Sequence, residues 1–489
     1  MNIYQKRGLF HRRDEPNIYR MFFWVILILG GVWLIRSVNS GDIKPLFQPT
    51  PTPTRFAESY ILEGDALFTA GKLEDSQDAN GVIVPGAITA YREAAKVDPT
   101  NAQLLAQLAR IQIYSSAMLV KDETISARLE EGLASAAQAV ALAPDDSFSH
   151  AIYAFALDWN ASSPSLVDDR EIQKLLTKAG DEAVRALQLD TTNTLALAFY
   201  AEILVDQQKW SQAEQYIQQA LDRDPTLMDV HRVQAYVLES LGEYTLAIEA
   251  YDRAIAITPN MTFLYLRAGA NYRRLAFDSP NETVQTELYE KSLEYFAQTA
   301  RINEQLGVFD PVPYISIAKT YSQMGQFFIA IRNVQKTIEF QPDNPVFYGE
   351  LGVLYHKNRN YETGILALEC AVRGCTAEQS CPARGDCGTN DLPAEVKGLP
   401  LSASTIYYYD IYASELAALS TPKKNYCEEA LKVAAEIEAT ELDNDPNIAA
   451  DVIVVRNICT AVPDAEVSLT AEPVATEPAM LDEVPTAEP

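Results

Sequence analysis

Residues 210–259 read WSQAEQYIQQALDRDPTLMDVHRVQAYVLESLGEYTLAIEAYDRAIAITP, and this stretch carries one signature twice. Ala213, Ile217, Ala220 and Pro225 return 34 residues later as Ala247, Tyr251, Ala254 and Pro259. Spacings of three and four place the first three members on one stripe of a helix. The proline ends that helix, because it cannot donate the next backbone hydrogen bond. Outward from this pair the signature recurs at Ala87, Tyr91, Ala94 and Pro99, at Gly132, Ala136, Ala139 and Pro144, and at Ala330, Val334, Thr337 and Pro342. Ala179, Ala183 and Ala186 repeat it with Thr191 in the proline's place. A second helical pattern precedes each copy, clearest as Tyr348, Leu351, Gly352 and Tyr355, and as Tyr314, Ile317, Ala318 and Tyr321. Small residues recur where two helices approach closely and large ones fill the gaps, so each unit is a helix-turn-helix hairpin.

This pattern resembles the tetratricopeptide repeat family, with Trp or Tyr, Leu-Gly and Tyr on the first helix and Ala, Phe or Tyr, Ala and Pro on the second. Gly242 and Gly325 match its turn between helices. The resemblance implies an all-α, right-handed superhelical solenoid of about nine repeats. Eight are in register over 56–376, and a degenerate ninth with a capping helix near Ile448 to Ile458 occupies 401–462, beyond a Cys-containing loop at 377–400. The Gly71 to Ala87 interval has eleven residues more than Gly242 to Ala247, and similar insertions lengthen the second, third and sixth units. These predict projecting loops or extended helices.

Met21 to Ile35 is an unbroken apolar run of fifteen residues, MFFWVILILGGVWLI, flanked by Arg20 and Arg36 with Tyr19, Trp24 and Trp33 near its ends. At about 1.5 Å per residue it covers roughly 22 Å of a ~30 Å hydrocarbon layer, so snorkelling arginines and interfacial aromatics must complete the span. Lys6, Arg7, Arg12, Arg13 and Arg20 outweigh Asp14 and Glu15 in the leader 1–20, which keeps the N-terminus in the cytosol and the repeats outside it. The reading is a transmembrane signal anchor over 21–38, with a cleaved signal peptide as its rival. A Pro/Thr-rich linker follows over 39–55, and 463–489, with five prolines and seven acidic residues and no Lys or Arg, predicts a disordered tail.

The 489 residues carry 39 Lys+Arg against 67 Asp+Glu, a net charge of −28, which repels nucleic acid and leaves protein as the expected partner. All six cysteines lie between 370 and 459. Cys370, Cys375, Cys381 and Cys387 lack the Cys-x-x-Cys turn of a zinc site, and outside the cytosol bridges fit better, with their pairing left open. Cys427 begins one helix and Cys459 ends the next, so an antiparallel arrangement brings the two together.

Four histidines in separate units, no phosphate loop and no nucleophile elbow predict no catalytic residues, no metal and no cofactor. In the family the first helices line a concave groove that takes a peptide or a partner helix. Register places Arg232, Tyr236, Arg267, Arg273, Lys319 and His356 on or near that face, and such a basic, aromatic strip selects an acidic, extended ligand. The functional reading is a non-enzymatic, membrane-anchored interaction scaffold outside the cytoplasm. The alternative is an accessory subunit of an envelope enzyme or assembly complex.

Overall fold

The computed structural model describes residues 17–40, 55–77, 81–385, 393–440 and 445–461. The proposed linker, the acidic tail, most of the basic leader and Cys387 lie outside those residues. The chain divides into two compact units at Phe56. The first contains α1 (Ile18–Asn39), whose apolar span Ile18–Ser37 is long enough to cross a membrane or to serve as a signal sequence. Its apolar side chains from Met21 to Ile35 are exposed, as those of a lipid-facing helix would be.

From Ala57 onward the second unit is a succession of antiparallel helix pairs. The first three are α2 (Ala57–Thr69) with α3 (Ala87–Val97), α4 (Ala102–Ser116) with α5 (Asp122–Leu142), and α6 (Ser147–Ala161) with α7 (Asp169–Leu189). Then come α8 (Thr194–Asp206) with α9 (Trp210–Arg223), α10 (Met228–Ser240) with α11 (Tyr244–Ile257), and α12 (Thr262–Asp278) with α13 (Glu282–Leu306). The series continues with α14 (Val312–Gln323) and α15 (Phe327–Phe340), then α16 (Pro345–Lys357) and α17 (Tyr361–Val372). Short α18 (Ala377–Ala383) interrupts it before α19 (Ile406–Leu419), α20 (Cys427–Glu438) and α21 (Pro446–Ala461). Each first helix packs on its own second helix, and α4, α6, α8 and α10 also pack on one another in sequence, which makes the array a solenoid.

The signature residues explain the pairing. Ala213, Ala220, Ala247 and Ala254 are fully buried because a larger side chain would hold the helices apart. At Gly352 an added Cβ would lie 2.4 Å from Leu368. The turn between helices needs a left-handed residue, which Gly242 (φ 80°) and Gly325 (φ 70°) supply, and Gln208 and Arg359 adopt the same conformation in their units. The insertions are resolved in two ways. The first forms a two-stranded ribbon, β1 (Ser76–Gln77) with β2 (Ile83–Val84), whereas α5, α7 and α13 are simply long, at 21, 21 and 25 residues against 14 in α9. A second ribbon, β3 (Gly374–Cys375) with β4 (Val396–Lys397), ties the Cys-containing segment to α17.

A recurring contact accounts for two histidines. The side chain six residues after the repeat proline reaches back to its carbonyl: His150 to Pro144 at 2.9 Å, His231 to Pro225 at 2.8 Å, Tyr265 to Pro259 at 2.8 Å and Tyr348 to Pro342 at 2.9 Å. These groups close a backbone acceptor that the broken helix leaves open.

Candidate binding site

The inner face of the first six helix pairs is filled. Arg110 on α4 pairs with Asp229 on α10 through Nε at 2.9 Å and through a second, closer nitrogen, and both side chains are buried. The Tyr114 hydroxyl donates to Asp229 at 2.6 Å and accepts from Arg232 Nε at 3.1 Å. Arg232 grips Glu202 on α8 with two bonds of 2.6 Å, and Trp159 Nε1 donates to the same carboxylate at 3.1 Å. Burial alone would raise the Asp229 carboxyl, but Arg110 outweighs it and holds the pKa below the usual carboxylate range. Burial also drives Tyr114 well above an ordinary phenol.

Aromatic rings seal the same face. Tyr114 stacks on Phe263 of α12 at 5.9 Å and meets Phe155 at 5.2 Å, and Phe155 stacks on Phe199 at 4.3 Å. Asn260 donates to the Ala70 carbonyl at 2.9 Å, across 190 residues. The second and fifth pairs therefore touch through their inner helices, and the first and sixth meet beside them. Within this region a cavity of about 450 Å³ is bounded by Asp158, Trp159, Asp206, Tyr236, Phe263 and Arg267.

Beyond α12 the face opens. Two adjoining hollows of about 230 and 300 Å³ share Arg273 and Gln323, and Lys319, Glu350 and Lys357 complete the wall of the first. Small residues floor the pair, among them Ala270 and Ala318. Neither region offers a metal centre: among the described residues no group of His, Cys, Asp and Glu is arranged to hold one.

The description "Tetratricopeptide repeat" belongs to the family profile that matches residues 201–262, from the middle of α8 through α11. Over that span the chain matches a tetratricopeptide repeat. Solved structures with a similar helical course include the human IFIT1 dimer with PPP-AAAA, at 14% identity over 77% of this chain and 86% of that one, with a TM-score of 0.47. TTC0263 from Thermus thermophilus is similar at 17% identity over 44% and 98%, TM-score 0.34. YrrB, described as having an unusual peptide-binding site, is similar at 19% identity over 42% and 93%, TM-score 0.30.

The tetratricopeptide match suggests a protein-protein interaction scaffold, and register assigns six residues to its groove. The structure separates them. Arg232 is 5% exposed and its charge is spent on Glu202, so it forms no part of an open strip. Tyr236 donates to Asp206 at 2.5 Å. Arg267 lies half-exposed over the Tyr236 ring and pairs with Glu239 at 2.9 Å. His356 faces Glu415 at 3.1 Å, and Lys319 stands 3.5 Å from Glu350. Arg273 differs: it donates to the Ser316 carbonyl at 3.1 Å and lies over Phe296, and among the described residues no carboxylate pairs with it. Burial pushes its pKa down from the ordinary guanidinium value.

Near the last tetratricopeptide-like pair, Cys370 is bonded to Cys375 and Cys427 to Cys459, and Cys381 is also disulfide-bonded. Sequence reasoning missed Lys357, which joins Lys319 in the open groove, and the inward carboxylates Asp158 and Asp206. Both carboxylates occupy first-helix positions of the third and fourth pairs, so the register that found Arg232 could have found them. Strong negative charge throughout the chain hid them.

Proposed function

We propose that this protein is a single-pass, membrane-anchored scaffold whose repeats lie outside the cytoplasm and hold an extended acidic segment of a partner protein in the groove of α12, α14 and α16. The observation that carries the groove assignment is Arg273. A cation with no carboxylate partner among the described residues, half-withdrawn from water in a molecule of net charge −28, lines the same hollow as Lys319 and Lys357. An acidic side chain entering there gains charge-assisted hydrogen bonds, and the local positive field steers it inward. The basic leader, the apolar α1 and a cysteine-bridged C-terminal region support the topology, because positive charge is retained in the cytosol and bridges persist in oxidising compartments.

The test uses full-length protein in detergent and a fluorescent deca-glutamate peptide. Replacing Arg273 and Lys319 together with alanine should weaken binding about tenfold or more at low salt and by less at high salt, because part of the attraction is screened Coulomb energy. Undiminished binding by the folded variant would discard the groove. A reporter active only outside the cytosol, fused after residue 60, should be active. A silent reporter would reverse the topology.

A further inference from the structure

The upstream cavity has the opposite charge character to the downstream groove. Three carboxylates face it from two neighbouring helices: Asp158 on α6, and Glu202 and Asp206 on α8. Glu202 is saturated by Arg232 and Trp159, and Asp206 accepts the Tyr236 hydroxyl. Asp158 is left over. It is 2% exposed, and among the described residues no hydrogen-bond donor faces its Oδ1. A buried carboxyl without a donor loses the hydration it had in water and gains nothing in exchange. The positive charges at the cavity are already engaged, Arg232 by Glu202 and Arg267 by Glu239.

We propose that this cavity receives the cationic end of a lysine or arginine side chain, or of a free alkylamine, bound between Asp158 and Asp206 with its aliphatic stem against Trp159 and Phe263. The walls suit such a ligand. Aromatic and aliphatic surface from Trp159, Phe263, Leu129 and Leu266 takes a hydrocarbon stem, and the indole face attracts a cation. A volume of about 450 Å³ admits a side chain but not a folded element. A bare metal ion fits poorly, because no three ligands converge among the described residues. The site is separate from the downstream groove and stands whether or not that groove binds an acidic segment.

In the unliganded protein a proton does the work assigned to the cation. Burial, then the charges of Asp206 and Glu202, push Asp158 well above the usual carboxylate range, and Asp158 faces Asp206 closely enough to share that proton with it. The groups facing this pair are Glu202 on α8, Arg232 and Tyr236 on α10, Tyr251 on α11 and Arg267 on α12. The end of α4 and the turn after it contribute Ser116, Ala117 and Leu119, and α5 contributes Ile125 and Leu129, none of them titratable. An arriving ammonium or guanidinium must expel the shared proton. Affinity should therefore rise with pH and level off once the pair is fully ionised.

The experiment is calorimetric titration of the full chain in detergent with acetyl-Gly-Lys-Gly-amide, acetyl-Gly-Arg-Gly-amide, the norleucine counterpart and cadaverine. At least one cationic probe should bind ten times or more tightly than the norleucine peptide. Binding by the peptides assigns the source to a protein side chain, and binding by cadaverine alone assigns it to a free amine. Repeating the titration in buffers of different ionisation enthalpy should show about one proton released per cation bound. That measurement on the unaltered protein stands even if substitutions fail to fold. Asp158→Asn should abolish the cation preference and the proton release, whereas Arg273→Ala should leave both intact. Equal binding of the norleucine peptide, no proton release, or an Asp158→Asn protein that binds as before would overturn the proposal.

Discussion

The stretch from α4 to α12 and the stretch from α12 to α16 use the same hairpin, yet one has a filled inner face and the other an open one. Side chains at inward positions of the first helices distinguish them: Tyr114, Phe155, Trp159, Phe199 and Phe263 meet across the upstream turn, whereas Ala270, Ala318, Ser322 and Gln323 leave the downstream turn hollow. The repeat signature governs packing within and between neighbouring hairpins and leaves those inward positions free. A solenoid can thus close one stretch of its concave face on itself, down to a cavity the size of a single side chain, and leave the next stretch open.

Breaking the upstream network should have the largest effect. Arg232→Met leaves Glu202 buried without its partner, which costs about 3–5 kcal/mol and should appear as early cooperative loss of the upstream helices in thermal melts. Arg273→Ala should change stability by less than ~1 kcal/mol while weakening deca-glutamate binding. If the two variants behave alike, the division into filled and open faces is wrong.

Next in size is the disulfide at the downstream end. The first hairpins gain support from across the turn, where Asn260 holds Ala70, but the last helices have neighbours on one side and depend on Cys427–Cys459. With a sequence separation of 32, the chain-entropy model gives about 3–4 kcal/mol for that bridge. Replacing both cysteines with serine should speed hydrogen exchange in α20 and α21 and leave α4 to α10 protected. Uniform loosening would show that the two regions unfold as one.

A smaller, pH-dependent effect sharpens the same contrast. Burial, then the charge of Asp451 and a hydrogen bond to it, raise Asp410 on α19 to about 7, with His356 opposing. The folded state therefore holds a proton that the unfolded chain releases near pH 4, so stability falls as pH rises from about 4 to 7 and is flat above. Asp410→Asn should remove that slope, stabilising α19 to α21 by ~2 kcal/mol at pH 8 and by nothing near pH 4. A slope that persists in the variant would assign it to another group.

The hairpins were legible in the sequence because Ala213, Ile217 and Ala220 repeat at helical spacing and their partners lie one or two helices away. Long helices at α5, α7 and α13 were legible as insertions. The filled face was not. Arg110 meets Asp229 at a separation of 119, and no period in the sequence links them. Register put Arg232 on a first helix, but whether such an arginine faces solvent or a carboxylate depends on Glu202 beside it and on Tyr114 from 118 residues upstream. Register assigned Arg273 to the same face as Arg232, and the structure sets it apart because, among the described residues, no acid pairs with it.

The closure of the upstream turn is tested most directly by a double-mutant cycle on Arg110 and Asp229. Each single alanine substitution should cost about 3–5 kcal/mol, and the double variant about 2–3 kcal/mol less than the sum of the two, which is the coupling energy. Residues 119 apart on a solenoid can couple in that way only if the second and fifth pairs meet across the concave face. Costs that add to within ~0.5 kcal/mol would mean that the turn is open in solution, and that Arg110 and Asp229 face the ligand instead of each other.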